Sequence, residues 1–218
     1  SVPVICVGNV TAGGAGKTPA VLALVPLLRE LGYEPHILSR GYGGKFQAEP
    51  HQVNEGDRAE EVGDEPLLLA KTAPCWVCGD RIASAEAAVA AGATLLIMDD
   101  GLQNPSLWKN LALLVVSGAV GFGNGWMLPA GPLREPLGEV LKRVQAVLLI
   151  GEDERNIRKK LPADLPQFTA ELKPIAPLSD LAQPALAFAG LGYPEKFFAM
   201  LKDGGVELAD TRPFPDHH

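Results

Sequence analysis

Three glycines, a lysine and a threonine crowd into Gly13-Gly14-Ala15-Gly16-Lys17-Thr18, close to the start of the chain. Residues without a Cβ let successive backbone N–H groups turn toward one anion, a lysine reaches terminal phosphates, and a threonine hydroxyl can ligate Mg²⁺. The strict pattern G-x-x-x-x-G-K-[ST] asks for glycine where this chain has Thr11, so the loop is a variant of the P-loop and its context must carry the reading. We take Thr11, Ala12, Gly13, Gly14, Ala15, Gly16, Lys17 and Thr18 as the cradle for nucleotide phosphates. A P-loop also needs acidic groups for its cation. Leu95-Leu96-Ile97-Met98-Asp99-Asp100 supplies them, an apolar run delivering two carboxylates at its end. Thr18, Asp99 and Asp100 are therefore the expected Mg²⁺ ligands, with ATP or GTP as the nucleotide.

These groups need elements to aim them. Pro3 to Val10 reads as a strand, and Thr18 to Leu31 repeats apolar residues at helical spacing, with Gly32 closing the helix. The phosphate loop thus lies between strand and helix, as its chemistry requires. Glu34 to Ser39, Cys75 to Cys78, Thr94 to Met98 and Leu111 to Val116 read as further strands; Pro66 to Lys71 and Arg81 to Ala91 read as helices. Lys45 to Glu61 is a polar loop or irregular hairpin. This alternation predicts an α/β, P-loop NTPase-like fold: a mostly parallel sheet with helices on both faces, ligand sites at the carboxyl ends of the strands, and a smaller second lobe or linker. The core is expected over residues 1–150, with residues 121–136, dense in Gly and Pro, as a lid or substrate loop. Residues 151–218 are expected to form the smaller, incomplete lobe, with a charged helix over Glu152 to Lys160, a strand over Ala185 to Ala189, a helix over Pro194 to Lys202 and a strand near Val206 to Ala209.

Composition narrows the partners. With 218 residues, 47% of them hydrophobic, the chain can build a sizeable core. A net charge of −7 excludes a general nucleic-acid binder, which needs a basic face for phosphates. Cys6, Cys75 and Cys78 are too few for a disulfide framework, and the Cys75-x-x-Cys78 pair sits in an apolar strand-like run that points the two thiols to opposite faces. No run approaches the roughly 20 apolar residues that span a bilayer.

Several further motifs occur in order along nearly the whole chain: Gly8-Asn9 ahead of the phosphate loop, Ser39-Arg40-Gly41-Tyr42-Gly43-Gly44, Gly63-Asp64-Glu65-Pro66, Asp99-Asp100-Gly101-Leu102-Gln103, Phe122-Gly123-Asn124-Gly125, Leu128-Pro129-Ala130-Gly131-Pro132-Leu133-Arg134-Glu135 and Phe214-Pro215-Asp216-His217. Together they resemble the tetraacyldisaccharide 4'-kinases of lipid A biosynthesis. The resemblance implies transfer of a phosphoryl group from ATP, with Mg²⁺, to the 4'-hydroxyl of an acylated glucosamine disaccharide 1-phosphate at the cytoplasmic face of the bacterial inner membrane. It implies that Asp64 and His217 work together on the acceptor hydroxyl, that Lys17 and Arg134 serve catalysis at the phosphates, and that Arg40, Arg81, Gln103 and Glu135 lie near phosphates and sugar. It also implies a longer chain, with an N-terminal apolar helix at the membrane and more residues after the Asp-His motif.

Asp64 by itself also suits a helix N-cap, and His217-His218 by itself suits a tag, though Phe-Pro-Asp before it favours the motif. Asn104 stands where the family often has His, so no proton transfer is assigned there, and Leu102 replaces a common Phe. Phe122, Trp126, Met127 and Leu128 could offer an apolar surface to acyl chains or pack beneath the loop. The rival readings are a small-metabolite P-loop kinase or ligase, a GTPase-type switch, and a non-catalytic nucleotide-binding module. The switch lacks support, since no Asn-Lys-x-Asp stretch occurs.

Overall fold

The computed structural model describes residues 2–45, 48–191 and 194–214. Its chain forms two compact units, Ser1–Ala170 and Glu171–His218. The first unit contains β1 (Val4–Gly8), α1 (Lys17–Glu30), β2 (Pro35–Ser39), β3 (His51–Gln52), α2 (Ala59–Val62), α3 (Asp64–Ala70), β4 (Cys75–Val77), α4 (Arg81–Ala90), β5 (Leu95–Asp99), β6 (Leu111–Ser117), α5 (Leu137–Leu141), β7 (Ala146–Ile150) and β8 (Gln167–Ala170). One eight-stranded sheet runs in the order β3-β4-β2-β5-β1-β6-β7-β8, and every pairing is parallel except β3 with β4.

Both faces of this sheet are covered, which is why its strands are nearly continuous apolar runs. Alternate residues go to opposite faces. Cys6, Leu96, Met98, Leu114, Val116, Val147 and Leu149 pack on one face with Ala85 and Ala88 of α4, Val140 of α5, Phe122, Leu133 and Ile157. Val7, Leu95, Ile97, Val115 and Ile150 pack on the other with Val21, Val25 and Leu28 of α1 and Leu69 of α3. The phosphate-loop helix is thereby bolted to the sheet through its own apolar stripe.

Local chemistry fixes the helix ends. Gly16, the residue before α1, has φ 93°, a left-handed conformation that an L side chain resists. Pro19 sits in the first turn, where a helix N–H has no intrahelical acceptor to lose. At the far end Gly32 N–H donates to the Arg29 carbonyl and Tyr33 N–H to the Leu28 carbonyl, a Schellman closure around Gly32 at φ 85°. Asp80 caps α4, accepting from the N–H groups of Ile82 at 2.8 Å and Ala83 at 3.3 Å.

The sheet extends beyond the expected boundary at residue 150, because β8 adds a parallel strand on β7 and carries the first unit to Ala170. The helix expected over Glu152 to Lys160 is absent. Only one 3-10 turn forms, Arg158–Lys160, because the Asp153 carboxylate accepts the backbone N–H groups of Ile157 and Arg158 and closes a turn in place of a helix. In the second unit β9 (Ala185–Ala189) and β10 (Leu208–Pro213) pair in parallel, and α6 (Pro194–Asp203) buries Phe198 and Leu201 against Ala187, Ala189 and Val206.

Candidate functional site

β1 and β5 are neighbours in the sheet, with Val7 registered on Asp99, so the phosphate loop leaving β1 and the acidic pair ending β5 emerge side by side. The chain leads from β1 to β2 on one side of this pair and from β5 to β6 on the other, the arrangement that opens a crevice at the carboxyl ends of a doubly wound sheet.

Asn9, fully buried, braces the loop from inside. Its Nδ2 donates to the carbonyls of Thr11 at 2.7 Å and Gly13 at 3.3 Å, and its Oδ1 accepts from Lys17 Nζ at 3.3 Å. Lys17 Nζ also lies 3.7 Å from Asp100 Oδ2, and Arg134 donates to that same oxygen at 2.9 Å. The loop is held from outside as well. Ala12 N–H donates to the Pro132 carbonyl and Arg134 N–H to the Val10 carbonyl, both at 2.8 Å, so residues 132–134 run as a short antiparallel partner of residues 10–12. Leu133 in turn pairs with the Trp126–Leu128 backbone: its N–H donates to the Trp126 carbonyl at 3.1 Å and its carbonyl accepts from Leu128 N–H at 2.8 Å.

The Thr18 hydroxyl donates to Glu65 Oε1 at 2.8 Å, which brings a third carboxylate to Asp99 and Asp100. Asp99 is 3% exposed. Burial first, then the Glu65 and Asp100 charges, push its pKa up to about 7, against the opposing pull of Lys17 and Arg81. Asp99 Oδ1 and Asp100 Oδ1 are buried and have no hydrogen-bond partner among the described residues. Unpaired carboxylate oxygens, crowded acids and a Thr hydroxyl are the donor set a hard divalent cation takes. No group of three His, Cys, Asp or Glu side chains among the described residues forms a metal cage by itself. Mg²⁺ is bound through one or two carboxylates together with substrate phosphates and water.

Gln103 Nε2 donates to the Asn9 carbonyl at 3.0 Å and to Glu135 Oε1 at 2.8 Å, and the other Glu135 oxygen pairs with Arg143. Of the residues expected from the sequence, Lys17, Thr18, Asp99, Asp100, Arg134, Gln103 and Glu135 thus come together around the phosphate loop. Asp64 is exposed at the first residue of α3, next to Glu65, and the N-cap position belongs to Gly63. Arg40 is exposed just beyond β2. Arg81, expected among the substrate contacts, is 3% exposed and donates to the Cys78 carbonyl at 3.4 Å. Burial lowers its pKa and the nearby Asp99 charge opposes that, so Arg81 supports the acidic pair from within. His217 lies outside the described residues.

Phe122 is buried in the core, which removes it from the apolar surface considered above, whereas Trp126, Met127 and Leu128 are 67%, 48% and 57% exposed. Cys75 and Cys78 are buried and not joined in a disulfide, and burial pushes Cys75 well above the usual thiol range, against any ready thiolate chemistry there. Sequence reasoning missed three contributors as site residues. Asn9 and Glu65 stood inside quoted motifs, while Arg143 carried no local signal at all.

The model of the family described as LpxK, tetraacyldisaccharide-1-P 4'-kinase, matches residues 1–218. A tetraacyldisaccharide 4'-kinase of Gluconobacter oxydans is 51% identical over 220 residues, covering 100% of this chain and 67% of the relative. One from Rhodospirillum centenum is 53% identical over 220 residues, covering 100% of this chain and 65% of its own length. The chain therefore spans about two thirds of the length of these relatives. A crystal structure of LpxK from Aquifex aeolicus in complex with ATP superposes with a TM-score of 0.80 at 32% identity, covering 100% of this chain and 72% of that one.

Proposed function

The chain belongs to the tetraacyldisaccharide-1-P 4'-kinase family, and from that premise we propose that it transfers the γ-phosphoryl group of ATP to the 4'-hydroxyl of a tetraacylated glucosamine disaccharide 1-phosphate, a step of lipid A biosynthesis. The observation that carries this reading is the meeting of Lys17, Thr18, Asp99 and Asp100 at adjoining strand ends, with two buried carboxylate oxygens unpaired. In the reaction the acceptor oxygen forms a bond to the γ-phosphorus, the bond from that phosphorus to the ADP oxygen breaks, and the hydroxyl proton passes to a base. Phosphoryl transfer asks mainly for positioning and charge neutralisation.

Each role is met by a residue of the chain. Backbone N–H groups of the loop and the start of α1 hold the phosphates, and Lys17 exchanges Asn9 and Asp100 for the terminal ones. Thr18, Asp99 and Asp100 would hold Mg²⁺, which when bound neutralises charge on the phosphate oxygens. Arg134, already beside Asp100, is placed to meet charge developing on the transferred group. Asp64, which precedes the Glu65 that contacts Thr18, takes the acceptor proton, in partnership with His217.

The acceptor's acyl chains put the reaction at a membrane surface, and ATP puts it on the cytoplasmic face of the inner membrane. No helix among the described residues is long and apolar enough to cross a membrane. The exposed Trp126, Met127 and Leu128 beside the phosphate loop support contact with acyl chains. The test is phosphate transfer from labelled ATP to the disaccharide 1-phosphate in detergent with Mg²⁺, using the complete protein and Lys17→Ala. A drop on the order of 10²- to 10³-fold in kcat is expected for loss of one preorganised charge donor. ATP binding without any labelled lipid would refute the proposed acceptor.

A further inference from the structure

Arg143 lies just past α5, away from every motif that marks the site, yet all three kinds of nitrogen in its guanidinium are engaged. Nε donates to the Glu139 carbonyl at 3.3 Å, Nη1 to the Leu102 carbonyl at 3.2 Å, and Nη2 pairs with Glu135 Oε2. Its backbone is anchored to the sheet. Gln145 Nε2 donates to the Arg143 carbonyl at 3.2 Å, while Gln145 Oε1 accepts from Ala112 N–H of β6 at 2.7 Å. The side chain therefore extends from a rigid base to two loops. One follows the acidic pair at Leu102, and the other follows Arg134 at Glu135.

We propose that Arg143 is a positioning residue for phosphoryl transfer, fixing the loop of Asp99 and Asp100 to the loop of Arg134 and Glu135 so that the charges on the transferred group meet a set geometry. The proposal rests on the kinase reading above. Glu135 is the hinge of the arrangement. One of its oxygens is held by Arg143, and the other accepts from Gln103, whose amide also donates to Asn9, the brace of the phosphate loop. Arg134, the next residue in the chain, holds Asp100. A polar chain thus runs from β6 through Arg143 to Asn9, and its side branch sets Arg134. Two of its connections go to backbone carbonyls, which substitution elsewhere cannot remove, so the guanidinium itself is the informative group to change. Lysine carries the charge but cannot fork in three directions. The Arg143–Glu135 pair is half-exposed on the arginine side, and such pairs add little to stability, so the effect belongs in catalysis.

The experiment uses the complete protein with Arg143→Lys, Arg143→Met, Glu135→Gln and the Arg143→Met/Glu135→Gln double variant, reading kcat, KM for MgATP and Tm. We expect kcat to fall about tenfold in Arg143→Met and less in Arg143→Lys, with KM for MgATP within about twofold of the parent and Tm shifted by only a few degrees. The double variant should lose less than the product of the two single losses, since both changes break the Arg143–Glu135 connection they share. An unchanged kcat in Arg143→Met, or multiplicative losses in the double variant, overturns the proposal. If Arg143→Met does not fold, Arg143→Lys and its double with Glu135→Gln carry the same comparison. Should the parent protein hydrolyse MgATP without labelling the lipid, the acceptor proposal fails while Arg143 is still judged, by the same ratios read on hydrolysis.

Discussion

Replacing Asp99 by asparagine should make the ligand-free protein more stable, increasingly so as pH rises. The unfolded carboxyl ionises near its ordinary value of 3.8, whereas the folded one, buried among Glu65 and Asp100, ionises only near 7. Between those values the unfolded chain gives up its proton first, so the unfolded state is favoured as pH increases. A displacement of about three units at about 1.4 kcal/mol each amounts to ~4 kcal/mol, absent below pH 4 and fully expressed above pH 7. Asparagine does not titrate, so the stability difference between Asp99→Asn and the parent should grow by roughly 3 kcal/mol between pH 5 and pH 8. Urea unfolding at both pH values, with EDTA and without nucleotide, measures that difference directly. With MgATP the ordering should narrow or reverse. A ligand at about 100 times its Kd stabilises the parent by ~2.7 kcal/mol, and the variant lacks a carboxylate proposed to hold Mg²⁺. A stability difference that stays constant with pH, or a variant less stable than the parent at pH 8 without ligand, would refute the account of Asp99 as a strained acid awaiting a cation.

Asn9→Ala removes the brace of the phosphate loop and the partner of Lys17, and nucleotide affinity measured by calorimetry should fall about tenfold, the worth of roughly one to two hydrogen bonds, while the buried carbonyls it leaves unpaired should lower the unfolding free energy in urea by about 1–3 kcal/mol. Asp80→Ala deletes the cap of α4 and should cost ~1 kcal/mol in urea unfolding while leaving kcat alone. Trp126→Ser should weaken sedimentation with liposomes without moving Tm, because the indole is 67% exposed; unchanged sedimentation would count against the acyl-surface reading.

The phosphate loop was legible because glycines followed by Lys17-Thr18 stand between an apolar run and a helical one, and the buried acidic pair beside it because Asp99-Asp100 end another apolar run. Both signals are local. Strand order is not, and the adjacency of β1 and β5 that turns two motifs into one site could be read only from the sheet. The Thr18–Glu65 hydrogen bond, between residues 47 apart, was invisible for the same reason. Ala146–Ile150 escaped as a strand, and with it the turn that carries Arg143, because a five-residue apolar run resembles a buried helix segment as much as a strand. The charged stretch from Glu152 suggested a helix by composition, but a single carboxylate, that of Asp153, outbid the helix for two backbone N–H groups. The second unit's strand ends near Pro213, later than the sequence suggested, because pairing with β9 continues to Ala189.

The antiparallel contact of residues 10–12 with residues 132–134 makes the phosphate loop and the Gly- and Pro-rich segment two limbs of one lever. Leu133 is clasped on one side by Trp126 and Leu128, and its neighbours are clasped on the other by Val10 and Ala12. Displacing the exposed Trp126–Leu128 tip must therefore break these hydrogen bonds or drag the cradle of the nucleotide with it. The position of the exposed tip and the shape of the loop that leaves β1 are thereby linked through main-chain hydrogen bonds.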